Sequence, residues 1–409
     1  MSKKNKSEVL IIGAGPSGLL AAKVFSDNGI KASIIEKDAK NKKKSFYSSI
    51  INIQFYEEIF GGFIKNQTLA IEREITDYRA YFLKEGSFSC ISNQNNNHLC
   101  IKRELFNKAL TDILESKGIQ IFYETIGREL ILENGKIKGI KTDDSEHYAD
   151  VIIICEGANS ILSKQAGLKS GELSPEETFL FVEETIEIPS EAIEERFNLQ
   201  NNKGLTAKIF THSFIEIPGI NYMHTNKSSV TISSGILLSD SIKNSININD
   251  YHEKIKTHPG ISPFISNGTT KTYSSYIMPA PLKYSKRANK VKLYSDNCLV
   301  AGGAAMFVNH FKWDISLLAA ISGKIAAETV IEARGKNDYS EKSLSMYESK
   351  LRENKEYNDF INDNRVHAEG VLPFQKSPNE LGILFYNDFE DKNDRKVLEN
   401  LSNIALTVN

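Results

Sequence analysis

Glu8 precedes four apolar residues, Val9-Leu10-Ile11-Ile12, and these run into Gly13-Ala14-Gly15-Pro16-Ser17-Gly18-Leu19-Leu20. The pattern predicts a short buried strand, a glycine turn and the start of a helix. A second apolar stretch, Lys31 to Glu36, predicts the strand that follows that helix. Helical spacing returns from Lys102 to Lys117, where Leu105, Phe106, Ala109, Leu110, Ile113 and Leu114 fall on one face and Gly118 ends the run. Ile119–Glu124 reads as the next strand. Glu133-Asn134-Gly135-Lys136 is a hairpin signal. Val151–Cys155 is apolar on both faces, as in a buried parallel strand, and Glu156-Gly157-Ala158-Asn159-Ser160 is the turn at its carboxyl end.

Between these elements the period is less regular. Residues 39–71 read as a loop followed by a short helix. Tyr78–Leu83 and Ser87–Ile91 read as strands around the Glu85-Gly86 turn, and Ser92–Asn97 as a polar loop. From about Glu176 the strands lengthen: Thr178–Ile188, Leu205–Ile217 and Val230–Leu238 predict a separate antiparallel lobe. Pro189–Phe197 is a helical insert in it, with proline at the first helical position, and Tyr251–Lys256 is another helix. Late in the chain, Val291–Tyr294 leads to Cys298–Ala301, a short apolar strand that ends in Gly302-Gly303-Ala304-Ala305. A helix from Ile315 to Glu332 follows, rich in small residues (Ala319, Ala320, Ser322, Gly323, Ala326, Ala327) that allow close approach to a neighbour. From Tyr339 the chain is helical and polar.

Gly13, Gly15 and Gly18 have the G-x-G-x-x-G spacing. The first allows a tight turn, the second a close approach of backbone to a pyrophosphate, and the third close packing of helix on sheet. The first turn of the helix, from Pro16 and Ser17, supplies free N–H groups and a partial positive charge. Glu36 ends the second strand, about 20 residues on, where an acid accepts hydrogen bonds from an adenosine ribose. A βαβ unit whose glycines serve only packing is the alternative. The following strand and its terminal acid favour a dinucleotide site, with Lys37 next to it.

Composition narrows the class without changing this picture. With 50 Lys and Arg against 52 Asp and Glu the formal net charge is −2, which argues against a general nucleic-acid binder. The lysines at 3, 4 and 6 and at 40 and 42–44 read as solvated surface. No stretch approaches the ~18 apolar residues of a membrane span, and the first strand begins too early for a secretory leader. The expected location is the cytoplasm, with peripheral contact at the inner face of the membrane as a further option through Phe60–Ile64 or Val371–Phe374. Buried loop anchors are the alternative for both segments. Cys90, Cys100, Cys155 and Cys298 show no C-x-x-C spacing, and the eight histidines no ligand spacing, so no metal site is expected.

The motifs in order resemble the FixC-type electron transfer flavoprotein–quinone oxidoreductases, relatives of the geranylgeranyl reductases. The resemblance is carried by Arg103-Glu-Leu-Phe106, by Ala149–Ser160 with its Glu156-Gly157 turn, by Glu194–Leu199, by Tyr222–Lys227 with Ser233–Gly235, by His258-Pro259, Tyr273-Ser274 and by Leu299–Asn309. It implies an α/β fold of the glutathione reductase/hydroxylase type: a discontinuous FAD-binding Rossmann-like domain, an antiparallel β-sheet second domain and a helical C-terminus. The expected boundaries are 1–170, with an insert at about 45–100, then 171–285, 286–335 and 336–409. It also implies FAD, held by Gly13, Gly15, Pro16, Ser17, Gly18, Glu36 and Lys37 at its adenine end. Arg103, Glu156, Gly157, Gly302, Gly303, Ala304 and Asn309 are expected nearer the flavin. The implied partners are electron transfer flavoprotein subunits, a ferredoxin-like protein and a quinone. No protein acid or base is assigned a catalytic role.

Departures cluster at the flavin end. Gly303 stands where the family has an aspartate for the ribityl chain. Residues 310–315, His-Phe-Lys-Trp-Asp-Ile, lack the family's glycines, and Ser48-Ser49-Ile50 replaces Ser-Gly-Gly. Either Lys312 or Trp313 substitutes for the lost contacts, or the chain is a degenerate, non-catalytic subunit of an electron-transfer complex. An isoprenoid reductase is the nearest enzyme alternative, but its Tyr-x-Trp-x-Phe-Pro strand is absent, since the single tryptophan is Trp313. The halogenase W-x-W signature is absent too.

Overall fold

The computed structural model describes residues 3–40, 47–62, 69–158, 160–168, 172–211, 214–215, 217, 219–280, 291–310 and 312–362. Val371–Phe374 and the polar tail after Asn362 lie outside the described residues, as do Phe63 and Ile64. Two sheets organise the rest. In the first, the strand order is Tyr294–Ser295, Cys298–Val300, Ser145–Ile154, Lys3–Ile12, Ala32–Ile35, Gln120–Phe122. The four central pairings are parallel, with Ile11 opposite both Ile34 and Ile153. The strand at 3–12 starts earlier than its apolar run, because Lys3–Ser7 pair with Ser145–Ala149. The 129–133/136–141 hairpin joins through Ser145–Ile154, and its turn places Asn134 and Gly135 at positive φ, as the sequence requires.

Helix Pro16–Asp27 returns from the glycine turn and packs on the long helix Leu317–Gly335, closely enough that a Cβ on Gly323 would sit 2.0 Å from the Ser17 carbonyl oxygen. Short helices from Glu341 to Asn362 follow. Tyr357 and Phe360 close over Phe307 with edge-on rings. No helix among the described residues is long and apolar enough to cross a membrane.

The second sheet runs Thr269–Pro279, Thr178–Glu187, Ser229–Leu237, Gly219–Thr225, Lys203–Phe210, Ile71–Lys84, Ser87–Lys102, Ser48–Asn52. The first five strands pair antiparallel, as expected of the later lobe. Three strands come from the segment near 45–100, and the junction between the two chain regions, Lys203–Phe210 on Ile71–Lys84, is parallel. This corrects three local expectations. Ser92–Asn97 is strand, since Ser92, Asn93 and Gln94 pair with Arg79, Tyr78 and Asp77; backbone pairing outweighs the loop preference of asparagine. Ser48–Asn52 is an edge strand before helix Ile53–Phe60, whose Asn52 cap accepts the Phe55 N–H at 2.9 Å. The strand expected over Leu205–Ile217 ends at Phe210. Phe60 is buried in the first core, not at a loop tip.

One face of the second sheet packs on helices Ser190–Phe197 and Ile248–Thr257 through Val182, Ile186, Ile193, Ile232 and Ile255. The other face carries Ile50, Tyr78, Phe179 and Phe181, packs against Trp313, and looks toward the first domain. The site lies between that face and the carboxyl edge of the first sheet, where open α/β sheets bind ligands.

Candidate functional site

The glycine turn is built as its spacing demands. Gly13 has φ +104°, and a Cβ there would sit 2.5 Å from the Cys155 carbonyl oxygen of the neighbouring strand. A Cβ on Gly18 would come within 1.9 Å of the Gly13 oxygen, so the helix lies directly on the turn. Gly15 has nothing within 4 Å of its Cβ position: its backbone is open to a cavity. No side chain caps Gly15, which leaves the first-turn N–H groups of the helix available to a ligand. Glu36 is buried, and its carboxylate accepts the N–H of Ala14 at 2.6 Å and of Asp38 at 3.0 Å. The acid therefore ties the second strand to the turn.

The cavity encloses about 500 Å³, in the range of sites that enclose small ligands. It runs from Gly15, Pro16 and Lys37, past Gly157 and Gly303, to Phe181 and Tyr276 on the second sheet. Arg103, at the head of helix Arg103–Ser116, also lines it. Its Nε–H donates to Ser49 Oγ at 2.8 Å, and Nη2 to Ser316 Oγ at 3.4 Å. Buried Asp314 completes this group, accepting the Asn52 N–H, the Ser316 N–H and the Ser316 hydroxyl at 2.7–3.0 Å. Burial pushes the Asp314 carboxyl up, against those bonds and the Arg103 charge. The segment without glycines is thus fixed by side chains. Trp313 lines the cavity, 5.2 Å edge-on from Tyr78 and with Lys208 Nζ 4.5 Å from its ring centroid. Lys312 instead pairs with Glu356 at 3.6 Å.

The expected site residues divide into two groups. Gly15, Pro16, Lys37, Arg103, Gly157 and Gly303 line the cavity; Gly13, Ser17, Gly18, Glu36, Gly302, Ala304 and Asn309 do not, and most of them shape its turns. Gly302, at φ +65°, donates its N–H to Ser322 Oγ, and a Cβ on it would meet Ser17 Oγ at 2.4 Å. Glu156 does not line the cavity either. Its carboxylate accepts the N–H groups of Leu162 and Ser163 at 3.1 and 2.8 Å, capping helix Ile161–Gln165. At Gly303 a Cβ would have Gly157 Cα as its nearest neighbour, at 3.5 Å.

Sequence reasoning assigned no site residue to the second-sheet wall, although Tyr222, His224 and Ser233 fall in segments that carry the resemblance. Glu183, Thr206, Tyr222, His224, Ser233 and Tyr276 all line the cavity there. Glu183 accepts the Tyr47 N–H and the Ser233 hydroxyl, both at 3.0 Å. His224 Nε2 lies 2.8 Å from Ser48 Oγ, and burial lowers its pKa to about 4, so the ring is neutral. The signal was present in the alternation Phe179-x-Phe181-x-Glu183-x-Thr185, which places a carboxylate on the same face as two phenylalanines.

An FAD binding domain model matches residues 6–198. Protein FixC of Azorhizobium caulinodans is 28% identical over 359 residues, covering 85% of this chain and 81% of that protein. Protein FixC of Escherichia coli K12 is 28% identical over 360 residues, 84% of this chain and 81% of its own length. In three dimensions the chain is similar to a geranylgeranyl bacteriochlorophyll reductase-like protein from Thermoplasma acidophilum, with TM-score 0.70 and 19% identity over 97% of this chain and all of that one. A flavin-dependent brominase gives TM-score 0.68 at 13% identity, over 98% and 99%. The open backbone at Gly15, the uncapped helix start and the cavity beyond them fit a dinucleotide with a ring system at its far end. The chain is an FAD-dependent oxidoreductase, similar to the FixC proteins over most of its length.

Proposed function

We propose that this chain moves electron pairs between a protein donor and a quinone-type acceptor. The donor is an electron transfer flavoprotein or another reduced donor, a ferredoxin-like protein is the alternative acceptor, and the reaction takes place in the cytoplasm or at the inner face of its membrane. The supporting observation is the continuity of one cavity from the glycine turn to the second sheet. When bound, FAD supplies the two-electron chemistry. In this reading Gly15, Pro16 and the first-turn N–H groups meet the pyrophosphate, and Glu36 and Lys37 flank the adenosine. Arg103, Gly157 and Gly303 lie along the ribityl chain. The Arg103–Ser49–Ser316–Asp314 group takes over the positioning that a glycine-rich turn provides in the family. Phe181 and Tyr276, whose rings stack at 5.4 Å and 10°, give the acceptor a flat, water-excluding wall.

Purification tests this directly. The protein is expected to be yellow, with about one flavin per chain, and its dithionite-reduced form to be reoxidised faster by a quinone than by buffer alone. A flavin-loaded protein whose reoxidation no quinone accelerates would overturn the acceptor assignment.

A further inference from the structure

Strand register explains why the second-sheet wall is polar. Glu183 stands opposite Ser233, Ser233 opposite Tyr222, and Tyr222 opposite Lys208. The next row on the same face is Thr185, Thr231, His224 and Thr206. Residues opposed across neighbouring strands share a face. Two polar rows therefore cross the sheet beside the apolar Phe181 and Ile50. An ionised carboxyl group in such a position is costly unless it is paired or well hydrogen-bonded. Glu183 is 4% exposed, and its hydrogen bonds come from neutral donors: the Tyr47 N–H, the Ser233 hydroxyl and the Tyr276 hydroxyl.

We propose that Glu183 donates and recovers the proton that accompanies two-electron reduction of a conjugated carbonyl acceptor in this cavity, with Ser233 and Tyr276 holding its carboxyl in position. This rests on the quinone-type acceptor proposed above. Such an acceptor takes up two electrons and two protons. The oxidoreductase activity supplies both electrons and one proton as a hydride equivalent. Glu183 supplies the second proton: its O–H bond breaks as an O–H bond forms on the acceptor oxygen. The carboxylate left behind keeps the Tyr47 N–H and the Ser233 hydroxyl, and takes its next proton from water.

The electrostatics of the wall agree. Burial pushes the Glu183 carboxyl up to about 7, against the bonds from Tyr47, Ser233 and Tyr276 and the charge of Arg103. Both protonation states are then populated at neutral pH, the condition a proton carrier needs. Around Glu183, burial holds His224 and His310 down to about 4, and raises the Tyr276 and Tyr47 hydroxyls and the Cys100 thiol. Tyr222 donates its hydroxyl to the His310 carbonyl oxygen, Lys208 stands in the same row opposite Tyr222, and the Arg103 charge acts on Glu183 from the head of its helix.

The test compares FAD-loaded wild type with Glu183→Gln. Two readouts are used: infrared titration of protonated carboxyl groups, and stopped-flow reoxidation of the reduced enzyme by menadione across pH. Wild type should show a carboxyl band that titrates near pH 7 and is missing in E183Q. Its reoxidation rate should fall as pH rises through the same value. E183Q should keep its flavin content and dithionite reduction, yet reoxidise at least about tenfold more slowly at pH 7, with no break in the profile. If E183Q folds poorly, Ser233→Ala keeps the carboxyl but removes a donor to its ionised form, and should move the break to higher pH. Wild type and E183Q responding alike to menadione, or S233A leaving the break in place, overturns the proposal alone. A wild type that menadione does not reoxidise overturns the acceptor reading and the proposal with it.

Discussion

Gly303 stands where the resemblance leads one to expect a carboxylate, and its surroundings leave room for one. Its φ is not positive, and the nearest atom to an added Cβ is an ordinary contact at 3.5 Å. Gly303→Asp should therefore fold normally and offer an acceptor to a cofactor hydroxyl. A gain of about 1 kcal/mol corresponds to roughly fivefold tighter FAD binding, measurable by titration of flavin fluorescence. Neighbouring Gly157, at φ +76°, has no such freedom. At this scale the sequence was legible where backbone conformation dictates residue type. Gly13 makes the tight turn and Gly18 the close packing that their spacing predicts, and Gly15 leaves its backbone open. It was less legible for acids, because a carboxylate has several uses. Glu36, expected to face a ribose, also accepts the Ala14 and Asp38 N–H groups, a use its position in the sequence does not announce. Glu156, expected near the cofactor, accepts the N–H groups that open a short helix.

Among the elements, the contact between helices Pro16–Asp27 and Leu317–Gly335 bears most directly on the site. The small residues of the long helix predicted a close approach. The structure shows what it meets: Ser17, in the first turn after Gly15, and through Ser322 the N–H of Gly302. One helix thus fixes both glycine segments of the cavity. Gly323→Ala places a methyl 2.0 Å from the Ser17 carbonyl oxygen, and backbone on both sides must shift. We expect a loss of roughly 1–3 kcal/mol, read as a lower midpoint in thermal unfolding. Flavin retention on gel filtration should fall as well, because the displaced residue adjoins the open turn. A variant with unchanged flavin content would separate the two helices' packing from the site. Elements whose pattern is local, such as Arg103–Ser116 and the 133–136 turn, were read from the sequence. Ser48–Asn52 and the asparagine-rich strand were not, because their regularity comes from partners elsewhere in the chain.

The largest such partnership spans the molecule. Ile71–Lys84 lies beside Lys203–Phe210, so the second sheet is assembled from two regions with the helix at 103–116, the 129–141 hairpin and a central strand of the first sheet between them. The longer strands after about Glu176 revealed the later lobe but gave no sign that residues near 45–100 complete it, since strand pairing leaves no trace in either strand alone. The two lobes are expected to be inseparable in the test tube. Residues 1–170 expressed alone should be insoluble, whereas co-expression with 171–409 should recover soluble, flavin-containing protein, as judged by the absorbance of the soluble fraction.

The same junction sets an order of events during synthesis. The ribbon formed by Ile71–Lys84 and Ser87–Lys102 leaves the ribosome with one long edge bare. Its parallel partner is made more than 100 residues later, on the order of ten seconds at ordinary elongation rates. Throughout that interval the ribbon offers a row of unpaired N–H and C=O groups to any strand nearby. The polar run Ser92–Asn97, mostly exposed on the ribbon's other strand, keeps its surface wet while the edge waits.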